Sequence, residues 1–314
     1  MNLPFYGKKD INTVIQMTDA IQAMKEAFIA LSNGTAVVPN RINLALEDQN
    51  ALNLSMPAYI KGGLYNTIKV VNVHFNNPKK GLPLINGLIL VMDSINGNPL
   101  AFIDGKYVTS LRTGAASGLA TDVLSNKDSK CAFIFGTGAQ SKSQIEAISC
   151  VRDLSSIFIM GSSVEKTEKF CSEYSNIVKP GKITDLKEAD IVCTATTSEK
   201  PLFGIENIKP GVHINAVGAH RPNTRELETT VIQNSKVFID ELSSSKLEAG
   251  DIIIPVNEGK YNWSDIQGQL GDLIDKKLTG RTHQSEITLF NSIGNAIQDL
   301  VIASIVVEKN QNYN

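Results

Sequence analysis

From residue 131 onward the chain alternates short apolar runs with helix-like segments, and this alternation leaves few folds open. Residues 132–135, 156–160, 190–194, 211–217 and 237–240 read as buried strands. Residues 140–150, with Ile145 and Ile148 on one face, and the more polar 165–174 read as helices. Strands separated by helices pair in parallel, with helices on both faces of the sheet, and such sheets bind ligands at the carboxyl ends of their strands. Gly136, Gly161, Thr194-Ala195 and Val217-Gly218 fall at those ends.

The first strand end carries the sharpest signal. In CAFIFGTGAQS, Gly136 permits a tight exit from the strand and Gly138 lets backbone approach a pyrophosphate. Ser141 is small enough for the next helix to pack close. Thr137, Ala139 and Gln140 complete the turn and open the helix, whose free N–H groups suit phosphate oxygens. A dinucleotide is the expected ligand. About 20 residues past such a turn, NAD enzymes place an acid on the ribose 2′-hydroxyl. Here the corresponding stretch is Met160-Gly161-Ser162-Ser163, with no acid before Glu165. That absence removes repulsion of a 2′-phosphate, to which Ser162 and Ser163 can donate and Lys166 can lend charge, so the turn favours NADP with NAD still open. Serines after a strand also serve as ordinary turn and helix-cap residues.

The remainder belongs to a different unit. Residues 18–31 read as an amphipathic helix capped by Thr18 or Asp19 and stopped at Asn33-Gly34. Segments 37–46, 51–56, 65–75, 87–93 and 99–104 read as strands separated by Asn-, Gly- and Pro-rich turns, and helical periodicity returns over 110–124. Residues 287–307 read as one long apolar helix interrupted by Gly294, returning to pack on the N-terminal unit. The expected architecture is α/β: a doubly wound dinucleotide domain over 116–294 inserted into an α+β domain of 1–115 plus 295–314.

Composition excludes several other classes. With 314 residues, 42% hydrophobic, 20% charged and a net charge of −2, the chain has ample material for a core and no basic patch for nucleic acid. No apolar run approaches the roughly 20 residues of a spanning helix, and MNLPFYGKKDI lacks the apolar stretch of a signal peptide, so a cytoplasmic protein with no membrane partner is expected. Cys131, Cys150, Cys171 and Cys193 form no CxxC pair and read as reduced thiols rather than disulfides or a metal site.

Several motifs in fixed order carry a resemblance over nearly the whole chain. They are Leu54-Ser55-Met56-Pro57-Ala58, Lys69-Val70-Val71, Asp104-Gly105-Lys106, the run Thr109 to Ala115, the GTGAQS turn, Asn215 to His220 and Ile287-Thr288-Leu289-Phe290. Together they resemble the ornithine cyclodeaminase and mu-crystallin family. The resemblance implies a homodimer joined through the N-terminal domains, a Rossmann domain for NAD(P), and chemistry at the Cα–N bond of a small amino or imino acid.

The resemblance places Arg112 and Arg41 near the substrate carboxylate, where a guanidinium can make two parallel hydrogen bonds. Lys69 alternates with Ile68 and Val70, which by itself reads as a lysine facing solvent on a half-buried strand. The resemblance reverses that reading and gives Lys69 a contact with the substrate carboxylate or nitrogen. It also exposes a departure: cyclodeaminases carry an aspartate after the Gly-Ala pair, and this chain has His220. Histidine cannot supply a fixed negative charge to a distal ammonium group but can exchange protons near neutrality. A loop histidine that merely spaces the turn before Pro222 is the other reading. His74 and His213 read as structural.

The expectation is therefore an NAD(P)H-dependent reductase of a small 2-imino acid, led by Δ1-pyrroline-2-carboxylate, with alanine dehydrogenase activity as a variant. Ornithine cyclodeamination and a non-catalytic NADPH-binding role like that of mu-crystallin are the alternatives.

Overall fold

The computed structural model describes residues 2–311; residues 1 and 312–314, at the ends of the expected first domain, lie outside the described residues. The chain forms two compact units, one running to Arg112 and resuming at Asn295, the other Thr113–Gly294.

The first unit opens with β1 (Phe5–Tyr6), α1 (Lys8–Val14) and α2 (Met17–Ser32). Then follow β2 (Ala36–Val37), β3 (Ile42–Leu46), β4 (Ala51–Ile60), β5 (Tyr65–His74), β6 (Ile85–Asp93), β7 (Pro99–Asp104) and α3 (Gly105–Leu124). Its sheet runs β1-β7-β6-β5-β4-β2, with β3 also on β4, and only β1 pairs in parallel. The register aligns Met56, Lys69, Ile89 and Ile103 in one row across four strands, and all four are buried. That row faces α10 (Ala296–Gln311), which packs on β4, β5, β6, β7 and α2. A lysine thus stands where strand alternation calls for an apolar side chain.

Three local expectations are corrected here. Segment 37–46 is two strands rather than one, broken around Pro39, which has no N–H for a ladder, so Arg41 lies in the connection and not in a strand. Helix α2 is capped at Gln16 instead of Thr18 or Asp19. Asp19 sits a turn inside and its Oδ2 accepts the Gln16 N–H at 3.0 Å. Helix α3 begins at Gly105 rather than at residue 110, with Asp104 Oδ1 accepting the Tyr107 N–H at 3.0 Å, so Arg112 lies two turns inside the helix.

The second unit contains β8 (Cys131–Phe135), α4 (Ala139–Val151), β9 (Ser156–Met160), α5 (Val164–Cys171), β10 (Val178–Pro180), β11 (Ile191–Thr194) and β12 (His213–Ala216). After these come α6 (Thr229–Gln233), β13 (Ser235–Ile239), α7 (Leu242–Glu248), α8 (Gly250–Asn257), β14 (Gly268–Gln269), α9 (Leu270–Ile274) and β15 (Ile287–Asn291). The sheet is parallel throughout, in the order β10-β9-β8-β11-β12-β15-β13-β14. Along β8, Phe133 and Phe135 enter one core while Ala132 and Ile134 enter the other, which is why such strands read as continuous apolar runs. The order reverses direction at β8, with β9 on one side and β11 on the other, and this is the switch point of a Rossmann-type sheet.

Residues 287–307 are not one helix. Ile287–Asn291 is β15, paired on both sides by β12 and β13, and α10 starts only at Ala296. A five-residue segment, here ITLFN, is too short to show a period of its own; the slot between two parallel strands decides its state.

Candidate active site

In the first unit, β5 carries Lys69 into the apolar row, and burial of its ammonium is balanced from α10. Lys69 Nζ donates to Asp299 Oδ2 at 2.5 Å and to Thr109 Oγ1 at 3.3 Å. Arg112 reaches the same carboxylate, Nε to Oδ1 at 3.4 Å, and its Nη1 donates to Gln298 Oε1 at 2.7 Å. Lys69, Asp299 and Arg112 are only 2%, 1% and 6% exposed. Desolvation pulls the Lys69 ammonium down to about 8; Asp299 resists, and the charges of Arg112 and Arg41 add to the fall. Arg41, half-buried before β3, is therefore electrically part of this cluster.

Two cationic side chains, Lys69 and Arg112, thus share one carboxylate, with the charge of Arg41 also acting on Lys69. The excess positive charge is buried, and Arg112 Nε has no hydrogen-bond acceptor. Such a cluster is suited to a small carboxylate, with a lysine able to exchange a proton near neutrality. Asp299 and Gln298 were missed by sequence reasoning. Their signal was present: two polar residues interrupt the otherwise apolar Ala296-Ile297 and Leu300 to Val307 stretch, apart from Ser304.

In the second unit the glycine turn is built as a dinucleotide requires. Gly136 has φ +114°, and a Cβ there would meet Ala195 O at 2.6 Å and Ser141 Oγ at 2.9 Å, so only glycine fits. Gly138 begins α4 with no side-chain cap, and the space where its Cβ would stand is open. Thr137, Ala139 and Gln140 continue the turn into α4, and an open, uncapped helix start of this kind fits a pyrophosphate. Across the switch point, Val217 N donates to Thr194 O and Ala195 N to Phe135 O, both at 3.0 Å, which holds the β11 and β12 ends beside β8.

Ser162 and Ser163 are exposed beyond β9, with no acid beside them before Glu165. Ser163 caps α5, its Oγ accepting the Lys166 N–H at 3.3 Å, and Lys166 Nζ donates to Ser162 Oγ at 3.4 Å. His220 is exposed on the loop after β12, its Nδ1 3.0 Å from Gly218 O. His213 is a core residue: its ring meets Thr288 Oγ1 at 3.0 Å and Asn215 Oδ1 at 3.2 Å, and burial pulls its pKa down to about 3, keeping it neutral. Half-buried His74 ends β5. Among the described residues no His, Cys, Asp and Glu cluster suits a metal, the four cysteines are free thiols, and no helix is long and apolar enough to cross a membrane.

Several known proteins resemble this chain over nearly its whole length. A Δ1-pyrroline-2-carboxylate reductase of Bacillus cereus is 35% identical over 303 residues, covering 94% of this chain and 93% of that protein. The Thermococcus litoralis Δ1-pyrroline-2-carboxylate reductase, solved with NADH and L-proline, superposes with a TM-score of 0.95 at 35% identity, covering 99% of this chain and 98% of that one. An archaeal alanine dehydrogenase dimer with bound NAD gives a TM-score of 0.93 at 32% identity, covering 100% and 98%. The profile of the ornithine cyclodeaminase/mu-crystallin family matches residues 5–314, and the chain belongs to that family.

Proposed function

We propose that this protein is an NAD(P)H-dependent reductase of a small 2-imino acid, with Δ1-pyrroline-2-carboxylate the leading substrate and L-proline its product. The observation that carries the reading is the buried Lys69–Asp299–Arg112 cluster, an anion site that contains its own proton donor. The likeness to reductases at 35% identity supports it.

Reduction of C=N adds a hydride to carbon and a proton to nitrogen. The nicotinamide cofactor supplies the hydride when bound, held by the Gly136–Gln140 turn and the Thr194-Ala195 and Val217-Gly218 strand ends. Arg112, helped by Arg41, grips the substrate carboxylate and fixes the orientation of the imine. Lys69 holds a proton at Nζ that a pKa of about 8 leaves available at neutral pH, and passes it to the imine nitrogen as the carbon is reduced. Asp299 keeps Lys69 protonated in spite of its burial. His220 lacks the fixed charge that would hold a distal ammonium, which argues against ornithine as substrate. The test is oxidation of NADPH or NADH with Δ1-pyrroline-2-carboxylate: saturable oxidation supports the reading, and none with either cofactor overturns it. Pyruvate with ammonia is the second substrate pair to try, because an alanine dehydrogenase is among the similar structures.

NADP is the favoured cofactor, supported by the missing acid after β9 and by Ser162, Ser163 and Lys166 at that edge. Lys166→Ala should lower the NADPH over NADH preference about tenfold in kcat/KM, the scale of one hydrogen bond to a charged group. An unchanged ratio removes Lys166 from cofactor choice.

The protein is also read as a homodimer. On the sheet face opposite Lys69, Ile42 and Leu44 are 66% and 57% exposed, and Ile42 shares a cross-strand row with Val70 and Leu88. An apolar face of this kind calls for a partner, and the similar archaeal enzyme is a dimer. Light scattering should give twice the chain mass, and Ile42→Glu should give the single-chain mass; a wild-type monomer rejects the dimer. A cytoplasmic location is favoured by four free thiols.

A further inference from the structure

Glu226 is completely buried in the second unit, yet it belongs to neither the glycine turn nor any strand. Its two carboxylate oxygens reach separate loops. Oε1 accepts the Thr196 N–H at 2.8 Å and the Thr196 hydroxyl at 2.6 Å, on the loop after β11. Oε2 accepts the Gly218 N–H at 2.9 Å, on the loop after β12. A Cβ at Gly218 would lie 2.4 Å from Oε1, so this position must be glycine for the carboxylate to reach it.

The rest of the segment is held as firmly. Asp251, in α8, accepts the N–H groups of Glu226 and Leu227 at 2.8 and 3.0 Å, and Leu202 N donates to Glu226 O at 2.8 Å. A Cβ on Gly250 would meet Thr224 O at 1.9 Å. Burial pushes the Glu226 carboxyl up, while the hydroxyls of Thr194 and Thr196 and the N–H groups of Thr196 and Gly218 oppose that rise. A buried acid held by such donors is costly where packing alone would serve, since an apolar side chain of similar size would avoid the desolvation.

The place of these loops gives the acid a purpose. In a sheet that reverses at β8, the adenosine ribose is read at the end of the next strand, here β9, and a dinucleotide crosses the switch point. The nicotinamide half then belongs on the β11 and β12 side, where Glu226 ties the two strand ends together. We propose that Glu226 is a positioning residue that clamps the Thr196 and Gly218 loops as a preformed seat for the nicotinamide ring. This rests on the reading of the second unit as a dinucleotide site. The same clamp closes the 218–226 loop, which carries His220.

The test compares two ligands by calorimetry on the full chain: NADH, and ADP-ribose, which lacks the nicotinamide. In Glu226→Gln an amide N–H₂ must face a donor, so NADH affinity should fall about tenfold, with ADP-ribose affinity kept within about twofold. Thr196→Val removes one donor and leaves the carboxylate, and should weaken NADH in the same selective way by a smaller factor. Equal loss of both ligands in Thr196→Val, or no loss of NADH in a folded Glu226→Gln, overturns the proposal. Failure of the wild-type protein to bind either ligand overturns the dinucleotide reading and the proposal with it. With imino acid present, kcat of Glu226→Gln should fall while KM for the imino acid stays near the wild-type value.

Discussion

Lys69→Met is expected to lower the reduction rate by at least about a hundredfold, the usual contribution of a positioned proton donor, and to leave cofactor affinity unchanged. Methionine suits the Met56–Ile89–Ile103 row in size and polarity, so the fold should survive. Stability should still fall, because removal of one partner leaves Asp299 buried beside Arg112 alone; breaking a buried pair costs about 3–5 kcal/mol. Stopped-flow hydride transfer and calorimetric cofactor titration check the two halves, and near-normal turnover removes Lys69 from the chemistry. The pH profile adds a sign. Lys69 acts protonated, so the rate should fall as pH rises through about 8. Asp299 raises that value, so Asp299→Asn should move the falling limb to lower pH, each unit of displacement lowering the protonated fraction above it about tenfold. A limb that stays in place assigns the titration to another group.

Arg112→Lys should cost about a hundredfold or more in kcat/KM for the imino acid, mostly as a rise in KM, although the charge is retained. The ammonium has three donors on a flexible stem, whereas the guanidinium spends Nη1 on Gln298 and keeps its planar fork for a carboxylate. Truncating a buried, hydrogen-bonded charge pair at a binding site commonly costs about 2–5 kcal/mol, which sets that scale. Steady-state kinetics across imino acid concentrations separate KM from kcat. Wild-type KM in the lysine variant would reassign the carboxylate grip to Arg41.

The dinucleotide turn was legible because its requirements are local. Gly136 and Gly138 answer to backbone geometry within a few residues, and Ser141 to the closeness of one helix and one strand. The cation cluster was legible only halfway. Lys69 and Arg112 could be named, but the carboxylate that makes a buried lysine tolerable stands 230 residues away from it, and no spacing rule links β5 to the last helix. Strand β15 failed for a related reason: Ile287–Asn291 lies between two parallel neighbours and is buried at successive positions from Thr288 on, so no period marks it. Arg41 was misplaced by one feature visible in the chain, Pro39, which interrupts the ladder between β2 and β3. Glu226 gave no signal, since a clamp between two loops depends on where β11 and β12 end.

The origin of Asp299 on α10 has a consequence for biosynthesis. A ribosome delivers β5 and its lysine long before the helix that covers them, while the whole of Thr113–Gly294 emerges without interruption between the two. The inserted unit can therefore mature first, as domains commonly do during translation, while the earlier sheet waits with an ammonium in an uncovered apolar row. Closure of the first unit is a late, long-range event tied to the arrival of the final helix, and any chaperone protection the nascent chain needs falls in that interval.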